Sequence, residues 1–577
     1  MNTSRTSRLT RSLVLSLLAV PLLSRAGLIA QSVTTPPRAL HQRDWPLTRP
    51  EASGYAETSR YDDVITYMKA MAAASPQIHL TTYGYTFEGR PLPLAVIGAP
   101  GASPEQVLAT NKTRVYIQGN IHAGEVEGKE ALLWLLRSIA KGERNAWLKS
   151  VVLLINPIYN ADGNERVNVT NRGSQAGPVG GMGQRENAQG LDLNRDATKL
   201  ETAEARSLAN LLNRYDPHVA MDLHTTDGSA NSGFTLTYET SLNPNNSKVT
   251  TSLLRDVLLP TVTKAIKEKH GSDFFYYGGV SRNGEERAWR SDAELAKPRY
   301  TSTYFGVRNR LGILSETYSY ASFQDRIFAY YWFLEEVLSF VATHGETIRS
   351  AVATADHESV IGMQLAVRQE LVKAPDLKAI VFAPTVATRN PYVADRPYRL
   401  RVAGGESTEM LPFYGTAEPT ETSLAPRAWI VPMVGPPASS DPAFVRGAAN
   451  GSPGARMIAS VVDRLEAHGI KYTRTDKERV LTGERFRIAT NVIAEREYQG
   501  AHKARSLTGA WEATEQPLPP GSLVIPMNQP LARLAFILFD PRSDDGFAQW
   551  NILDAVLGMT PAPDFYPVLR TMSAIER

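Results

Sequence analysis

His122 and Glu125 are the pair of residues whose types and spacing most directly indicate metal chemistry in this sequence. They lie in the segment VYIQGNIHAGE, in which an apolar run ends in a loop and two small residues separate the two side chains. The small residues allow imidazole and carboxylate to converge on one ion, and this donor pair suits zinc. An H-x-x-E pair alone is a weak signal, because a loop histidine beside a solvated glutamate is common.

A third metal ligand is predicted at His224, which follows an apolar run and precedes a Thr-Thr-Asp-Gly turn. Two histidines and one glutamate leave the fourth zinc position open, as a hydrolytic site requires. His218 competes for this role. It follows Asp216-Pro217 at the start of the same run, so we expect it at the opposite edge of the sheet with a structural role.

Glu316 ends the short apolar run at residues 312–315. One interpretation is a carboxylate that caps a helix or pairs with a cation. The other is a general base whose pKa is tuned by burial and by a neighbouring metal. The residues alone leave both interpretations open.

The run Asp192-Leu193-Asn194-Arg195 places an amide beside a guanidinium. A planar guanidinium with a neighbouring amide can bind a carboxylate through two hydrogen bonds. The same run could equally be a charged turn.

Strands that alternate with helices must position these side chains. Periodicity predicts helices at 61–74, 128–140, 203–215, 249–269 and 326–340, and strands at 79–85, 92–97, 115–118, 151–156, 218–223 and 312–315. The alternation predicts an α/β fold with a doubly wound sheet, mixed but mostly parallel and flanked by helices. Ligands of such sheets bind past the carboxyl ends of the strands, where His122, His224 and Glu316 fall.

Four regions are predicted along the 577 residues. Residues 1–30 have the basic, apolar and small-residue order of a signal peptide; a membrane anchor is the alternative, but the apolar run is shorter than the ~20 residues that span a bilayer. Residues 31–55 are predicted to be a linker, 56–348 the catalytic domain, and 349–577 a separate β-rich α/β accessory module. We therefore expect export to the periplasm or the extracellular space, and no membrane span in the mature chain.

Composition excludes several classes of protein. Cysteine is absent, so any metal must be held by histidine and carboxylate. The 62 lysines and arginines nearly balance 59 aspartates and glutamates without basic runs, which argues against a nucleic-acid partner. The H-E-x-x-H pattern, a complete nucleophile elbow and a phosphate-binding loop are also missing.

Taken in order, His122-x-x-Glu125, Asp192-x-Asn194-Arg195, Asp222-Leu223-His224 and Glu316 resemble the zinc carboxypeptidase family of the carboxypeptidase A type, over roughly residues 55 to 345. The resemblance implies one zinc ion held by His122, Glu125 and His224. It also implies that Glu316 is the general base and acid, that Asn194 and Arg195 hold the substrate's C-terminal carboxylate, and that Asp192 accepts a hydrogen bond from His122.

The resemblance further implies an arginine that polarises the scissile carbonyl and a mobile tyrosine. Arg172 and Arg185 are both candidates for the arginine, and we prefer Arg172. Tyr304 is our candidate for the tyrosine, although it lies closer to Glu316 in sequence than the family pattern leads us to expect.

The function expected from the resemblance is that of a secreted zinc metallopeptidase that hydrolyses C-terminal peptide bonds of a peptide or protein substrate with a free C-terminus. Two alternatives stay open. One is a related zinc amidohydrolase that acts on cell-wall peptides or acyl-amino acids, and the other is a non-catalytic binding protein of the same fold.

Overall fold

The computed structural model describes residues 45–281, 286–391, 395–433, 451–500 and 502–574. The predicted signal peptide and the part of the predicted linker before residue 45 lie outside the described residues. Within the described residues, no helix combines the length and the apolar character needed to cross a membrane.

Ten strands form within the described residues of the N-terminal part of the chain. They are β1 Ile78–Tyr85, β2 Pro91–Ile97, β3 Thr113–Gly119, β4 Val151–Asn156, β5 Val219–Thr226, β6 Leu236–Thr240, β7 Phe274–Tyr276, β8 Gly279–Val280, β9 Trp289–Arg290 and β10 Leu311–Tyr318. Eight of them form one sheet in the order β1-β2-β4-β3-β5-β10-β6-β7. The β4–β3, β3–β5, β5–β10 and β6–β7 pairs are parallel and the other three are antiparallel. The predicted mixed, mostly parallel sheet is therefore confirmed.

Helices cover both faces of this sheet. They are α1 Arg49–Ala52, α2 Tyr61–Ala74, α3 Pro104–Leu108, α4 Glu127–Ala140, α5 Ala161–Glu165, α6 Ala203–Tyr215, α7 Lys248–Ser252, α8 Leu259–His270, α9 Thr301–Val307, α10 Phe323–Thr343 and α11 Gly345–His357, with a π-helical stretch Leu253–Leu258 between α7 and α8. Successive strand residues point to opposite faces. Val115 and Ile117 accordingly pack against α2, α4, α8 and α10, whereas Tyr116 packs on the side of α6 and α9.

The segment that precedes α2 is folded onto the sheet domain rather than extended as a linker. Thr48 and Glu51 form a capping box at α1, and Glu51 makes two hydrogen bonds of 2.8 and 2.6 Å with the buried guanidinium of Arg137. A buried cation requires such a partner, which explains why this segment is ordered. At the other end, the predicted boundary after residue 348 falls inside α11, which packs against α7 and β3.

The C-terminal part is β-rich, as predicted. Its strands are β11 Gln364–Val372, β12 Lys378–Phe382, β13 Thr385–Thr388, β14 Tyr398–Arg401, β15 Ser407–Leu411, β16 Phe413–Tyr414, β17 Thr416–Leu424, β18 Ala428–Val431, β19 Thr473–Arg474, β20 Arg479–Ile493, β21 Arg505–Leu518, β22 Leu523–Pro526 and β23 Phe565–Thr571. Its helices are α12 Pro453–His468, α13 Ala532–Phe539 and α14 Asp554–Leu557. Six of the strands form an antiparallel sheet in the order β19-β22-β18-β23-β20-β21.

The two parts share a hydrophobic core. One cluster of buried side chains joins Tyr116 and Leu154 of the central sheet to Met457 and Leu465 of α12 and Phe536 of α13. In addition, β16 pairs in parallel with β9. The C-terminal part is therefore packed onto the sheet domain through apolar surface, not attached to it by a linker alone.

Candidate metal centre and active site

Three neighbouring strands bring the predicted metal site together at their carboxyl ends. His122 follows β3, and His224 is the third residue from the end of β5. Glu316 lies in β10, directly opposite His224. Asn120, with a φ of 67°, turns the chain after β3. Gly124 is needed next to the site, because a Cβ there would lie 2.7 Å from Cγ of Arg172 and 2.8 Å from the Gly183 carbonyl.

His122, Glu125 and His224 converge on one point and are all buried. The Nδ1 atoms of the two histidines are 3.2 Å apart. Nδ1 of His122 is 3.0 Å from Oε1 of Glu125, and Nδ1 of His224 is 2.9 Å from Oε2 of the same carboxylate. The two imidazoles and the carboxylate thus face one another, and the guanidinium groups of Arg185 and Arg172 approach Nδ1 of His122 and Oε1 of Glu125 at 3.2 and 3.0 Å.

This donor set fits zinc. Ligand atoms about 2.0–2.1 Å from a tetrahedral ion lie about 3.3 Å from one another, close to the separations in this site. Two ring nitrogens that face each other at 3.2 Å gain nothing from the contact unless a proton or a cation lies between them. We infer that His122, Glu125 and His224 are arranged to hold one divalent ion, with an open position towards the pocket.

Each histidine is oriented by a carboxylate on its far side. Nε2 of His122 is 3.0 Å from Oδ1 of Asp192, and Nε2 of His224 is 3.0 Å from Oδ2 of Asp222. A hydrogen bond from each Nε2–H fixes the tautomer that leaves Nδ1 free to bind a metal. Asp192 therefore makes the contact with His122 that the resemblance implies. The equivalent role of Asp222 was not predicted. Residues i and i+2 of a strand point to the same face of the sheet, and Asp222 precedes His224 by two residues.

The charges around the site stabilise the ionised carboxylates. Burial acts to raise the pKa of Glu125, but His122 and Arg172 hold it well below its usual value. Asp192 is likewise buried, and His122 and Arg185 hold its pKa far below the usual value. Both groups are therefore anionic, as the roles of metal ligand and ring-orienting acceptor require.

Glu316 is placed differently from the other carboxylates in the site. Among the described residues its Oε2 atom is buried and has no hydrogen-bond partner. Burial, followed by the nearby charge of Glu125, raises its pKa to about 8 against the opposing effect of His224. A carboxyl group with such a pKa can both accept and return a proton near neutral pH. It faces the pocket that His122 and Glu125 also line.

Asn194 and Arg195 line the same pocket in the short 3-10 turn Leu193–Arg195. Oδ1 of Asn194 accepts hydrogen bonds from the backbone N–H and the hydroxyl of Thr301, at 2.9 and 3.1 Å, which fixes the orientation of its amide. The Arg195 guanidinium lies 4.0 Å from the ring centroid of Tyr300. The pair forms a cationic, hydrogen-bonding wall of the pocket that Glu316 also lines.

Two further arginines flank the metal ligands. Arg172 donates to Oε1 of Glu125 at 3.0 Å and to the Thr225 carbonyl at 2.7 Å. Arg185 instead donates from Nε to Oδ2 of Asp192 at 2.9 Å. Both line the pocket, so both sequence candidates for the carbonyl-polarising arginine lie at the site.

Tyr304 is not in the pocket, so its selection as the mobile tyrosine was wrong. It lies in α9, only 1 % of its surface is exposed, and its hydroxyl donates to Nδ1 of His468 at 2.8 Å. Packing between the two parts of the chain thus uses this tyrosine. Tyr277 and Tyr300 are the tyrosines that line the pocket, and sequence reasoning missed both.

His218 lies away from the metal site, at the start of β5. Its Nδ1 accepts a hydrogen bond from the backbone N–H of Arg114 at 3.0 Å. Burial and the adjacent Arg114 lower its pKa to about 3, so it is a neutral structural histidine, as expected from its place in the sequence.

Together the fold and the site define a metal-dependent hydrolase, with two histidines and a glutamate at the strand ends of an α/β sheet and a fourth carboxylate beside them. Residues 64–291 match the family model described as zinc carboxypeptidase, and this match supports a zinc-dependent peptide hydrolase. The match ends before Glu316, so the place of Glu316 rests on the geometry of the site.

Curated relatives carry carboxypeptidase names. "Carboxypeptidase 2" of Trichophyton rubrum is 23 % identical over 535 residues, which cover 91 % of this chain and 88 % of the relative. "Carboxypeptidase D" of Mus musculus is 33 % identical over 163 residues, which cover 24 % of this chain and 12 % of the relative. Among solved structures, a metallo-carboxypeptidase from Burkholderia cenocepacia is 19 % identical with a TM-score of 0.38, over 50 % of this chain and 71 % of that chain.

Proposed function

We propose that this protein is an exported zinc carboxypeptidase that removes residues from the free C-terminus of peptides, with Glu316 as the general base and acid. The observation that carries the proposal is the shared pocket. Glu316, with a carboxylate oxygen that has no partner among the described residues, lies in one cavity with the metal ligands and with the cationic wall of Asn194 and Arg195. Proton transfer, metal binding and anion binding are thereby available at one place.

When bound to His122, Glu125 and His224, zinc acidifies water and polarises a carbonyl oxygen as a Lewis acid. Glu316 takes the proton from the attacking water and later returns it to the nitrogen of the leaving amine. Burial raises the pKa of Glu316 towards neutral pH, and this supports its proposed role in both transfers.

Asn194 and Arg195 are proposed to bind the terminal carboxylate of the substrate. The amide of Asn194 is held by Thr301 and the guanidinium of Arg195 is stacked on Tyr300, so neither group must be ordered when the substrate arrives. Pre-ordered donors of this kind contribute mainly to positioning. A free carboxylate is therefore required for tight binding.

Arg172 is proposed as the residue that stabilises the negative charge on the scissile carbonyl oxygen. Arg172 makes the shorter contact with Glu125, at 3.0 Å against 3.8 Å for Arg185, and it also binds the end of β5. Arg185 is bound to Asp192 and lies 3.2 Å from Nδ1 of His122. A fixed donor of this type acts on charge that develops in the transition state.

Export is proposed from the N-terminal sequence, in which Arg5, Arg8 and Arg11 precede an apolar run and small residues. Fractionation of cells that produce the full chain, with N-terminal sequencing of the released protein, tests this part. A protein that keeps residue 1 and stays in the cytosol would contradict it.

Two synthetic peptides of identical sequence, one with a free C-terminal carboxylate and one with a C-terminal amide, test the proposed activity. We expect release of the last residue from the free peptide only, loss of that activity on dialysis against a chelator, and recovery with one equivalent of Zn²⁺. Muropeptides and acyl-amino acids are assayed in parallel. Faster turnover of those compounds would favour the amidohydrolase, and zinc binding without any hydrolysis would favour the non-catalytic protein.

A further inference from the structure

A loop of the C-terminal part touches the turn that carries Asn194 and Arg195. Oε1 of Gln499 accepts a hydrogen bond of 2.9 Å from the backbone N–H of Asp192, the residue that opens this turn. Gln499 has a φ of 50°, a left-handed conformation that is uncommon for a residue with a side chain. Next to it, Gly500 lies so close to Leu191 that an added Cβ would be 2.9 Å from Cδ2 of that leucine.

Asp192 is held by hydrogen bonds on both its side chain and its backbone. Its side chain accepts from His122, from the N–H of Asn194 and from Arg185, at 3.0, 2.9 and 2.9 Å, while its own N–H is bound by Gln499. If the acceptor of Gln499 were lost, the Asp192 N–H would lack its partner, and the turn would move to regain one. Such a movement displaces Asn194 and Arg195, which follow within three residues.

Aromatic and cationic side chains form a second connection between the same loop and Arg195. The ring of Tyr498 stacks on Trp550 with 5.3 Å between centroids and 30° between planes. The Arg299 guanidinium lies 5.1 Å from the Tyr498 ring and 5.7 Å from the Trp550 ring. Arg299 directly precedes Tyr300, the ring on which Arg195 is stacked.

Asp545 fixes the far end of this connection. Its carboxylate accepts from the backbone N–H of Arg299 at 2.9 Å and from Nε1 of Trp550 at 3.1 Å. The aromatic pair of the C-terminal part and the Arg299–Tyr300 segment of the sheet domain are thus held by one buried carboxylate.

We propose that Gln499 and the Tyr498–Trp550 stack are positioning residues for the carboxylate-binding pair Asn194 and Arg195, so that the C-terminal part completes the substrate-binding site. This inference rests on the proposed function, because it assumes that Asn194 and Arg195 bind the terminal carboxylate. It assigns a role in substrate binding to the C-terminal part, whose described residues contribute neither a metal ligand nor a proton-transfer group to the site.

Gln499→Met is the first test, because methionine has nearly the length and volume of glutamine but no carbonyl acceptor. The full chain is loaded with zinc and assayed on the free-carboxylate peptide. We expect KM to rise about fivefold, the loss typical of one hydrogen bond, with kcat within twofold, with zinc content at saturating Zn²⁺ unchanged, and with only a small fall in the thermal midpoint. Gln364→Met, at an exposed position of β11, is the matched control and should leave KM unchanged.

The aromatic connection is tested separately. Tyr498→Leu removes the stack and should raise KM, whereas Tyr498→Phe keeps the ring and should restore the wild-type value. Unchanged KM in both Gln499→Met and Tyr498→Leu would overturn the inference. So would a fall in kcat that tracks the thermal midpoint without a change in KM, because that pattern reports packing alone.

The amidated peptide separates the two levels of the argument. If the wild-type protein hydrolyses the amidated and the free peptide equally well, the proposed role of Asn194 and Arg195 is wrong and the inference falls with it. If the wild-type protein requires the free carboxylate but Gln499→Met binds it equally well, only the positioning role is wrong.

Discussion

Replacement of Asp192 by asparagine should weaken zinc binding without removing any metal ligand. Oδ1 of Asp192 faces Nε2 of His122 and the N–H of Asn194, and Oδ2 faces the Arg185 guanidinium. Both oxygens thus accept from N–H donors. An asparagine amide must turn its NH₂ group towards one of these sets, so one hydrogen-bond donor will always face another.

Loss of a carboxylate that orients a metal-bound histidine typically costs 10- to 100-fold in metal affinity, or about 1.4 to 2.7 kcal/mol. We expect the upper half of this range for Asp192→Asn, because the substitution removes a charge that Arg185 and Arg195 also stabilise. The zinc dissociation constant is measured by competition with a chelating indicator at fixed pH, alongside the thermal midpoint of the zinc-loaded protein.

Asp227→Asn is the control for this measurement. Asp227 lines the same pocket, but it accepts hydrogen bonds from Ser174 and Ser319 and not from a histidine ring. The Asp227→Asn substitution removes the same charge without changing the orientation of a histidine that binds the metal. Equal zinc affinities for the wild type and Asp192→Asn, or equal losses in Asp192→Asn and Asp227→Asn, would refute the proposed tautomer control.

Three further predictions concern proton transfer, charge stabilisation and pH. Glu316→Gln should keep zinc in metal analysis and lower kcat by about 10²- to 10⁴-fold; a kcat within threefold of the wild type would exclude Glu316 as the base. Arg172→Ala should lower kcat by about 10²-fold with zinc retained, whereas Arg185→Ala should mainly weaken zinc binding. If Arg185→Ala lowered kcat with zinc retained and Arg172→Ala weakened zinc binding, Arg185 would be the arginine that polarises the carbonyl. Burial, followed by the charge of Arg308, lowers the pKa of His468 to about 3. Below pH 6.5 the unfolded chain therefore binds a proton that the folded chain excludes. The contribution of this group to the free energy of unfolding is full above pH 6.5 and is lost as the pH falls towards 3. The free energy of unfolding should therefore drop by about 2 kcal/mol from this group between pH 7.5 and 5, and denaturant unfolding should show a smaller drop in His468→Gln; identical pH profiles would contradict this.

The elements that carry the metal ligands could be predicted from the sequence because their signals are local. The helices predicted at 61–74 and 203–215 and the strand at 151–156 agree with α2, α6 and β4 residue for residue. The positions at and near the carboxyl ends of strands were equally informative, since parallel strands bring those ends to one edge of the sheet. His122, His224 and Glu316 meet for that reason.

Contacts between residues far apart in the chain had no such signal. Tyr304 has the expected type, but the histidine that binds its hydroxyl lies 164 positions later, and nothing near residue 304 indicates that contact. The contact of Gln499 with Asp192 spans 307 positions and was missed for the same reason. Asp222 differs from both, because its spacing from His224 on one strand could have revealed it.

The hydrophobic cluster that Tyr116, Met457 and Phe536 share has a consequence for how the protein is made. A nascent chain that has emerged only as far as α11 holds every metal ligand and Glu316, yet the apolar face beneath α6 and α9 is still uncovered. Such a chain would expose an apolar, aggregation-prone surface to other protein chains until α12 and α13 are synthesised. Folding therefore finishes late, and a gene shortened after α11 should yield insoluble aggregates rather than a smaller working enzyme.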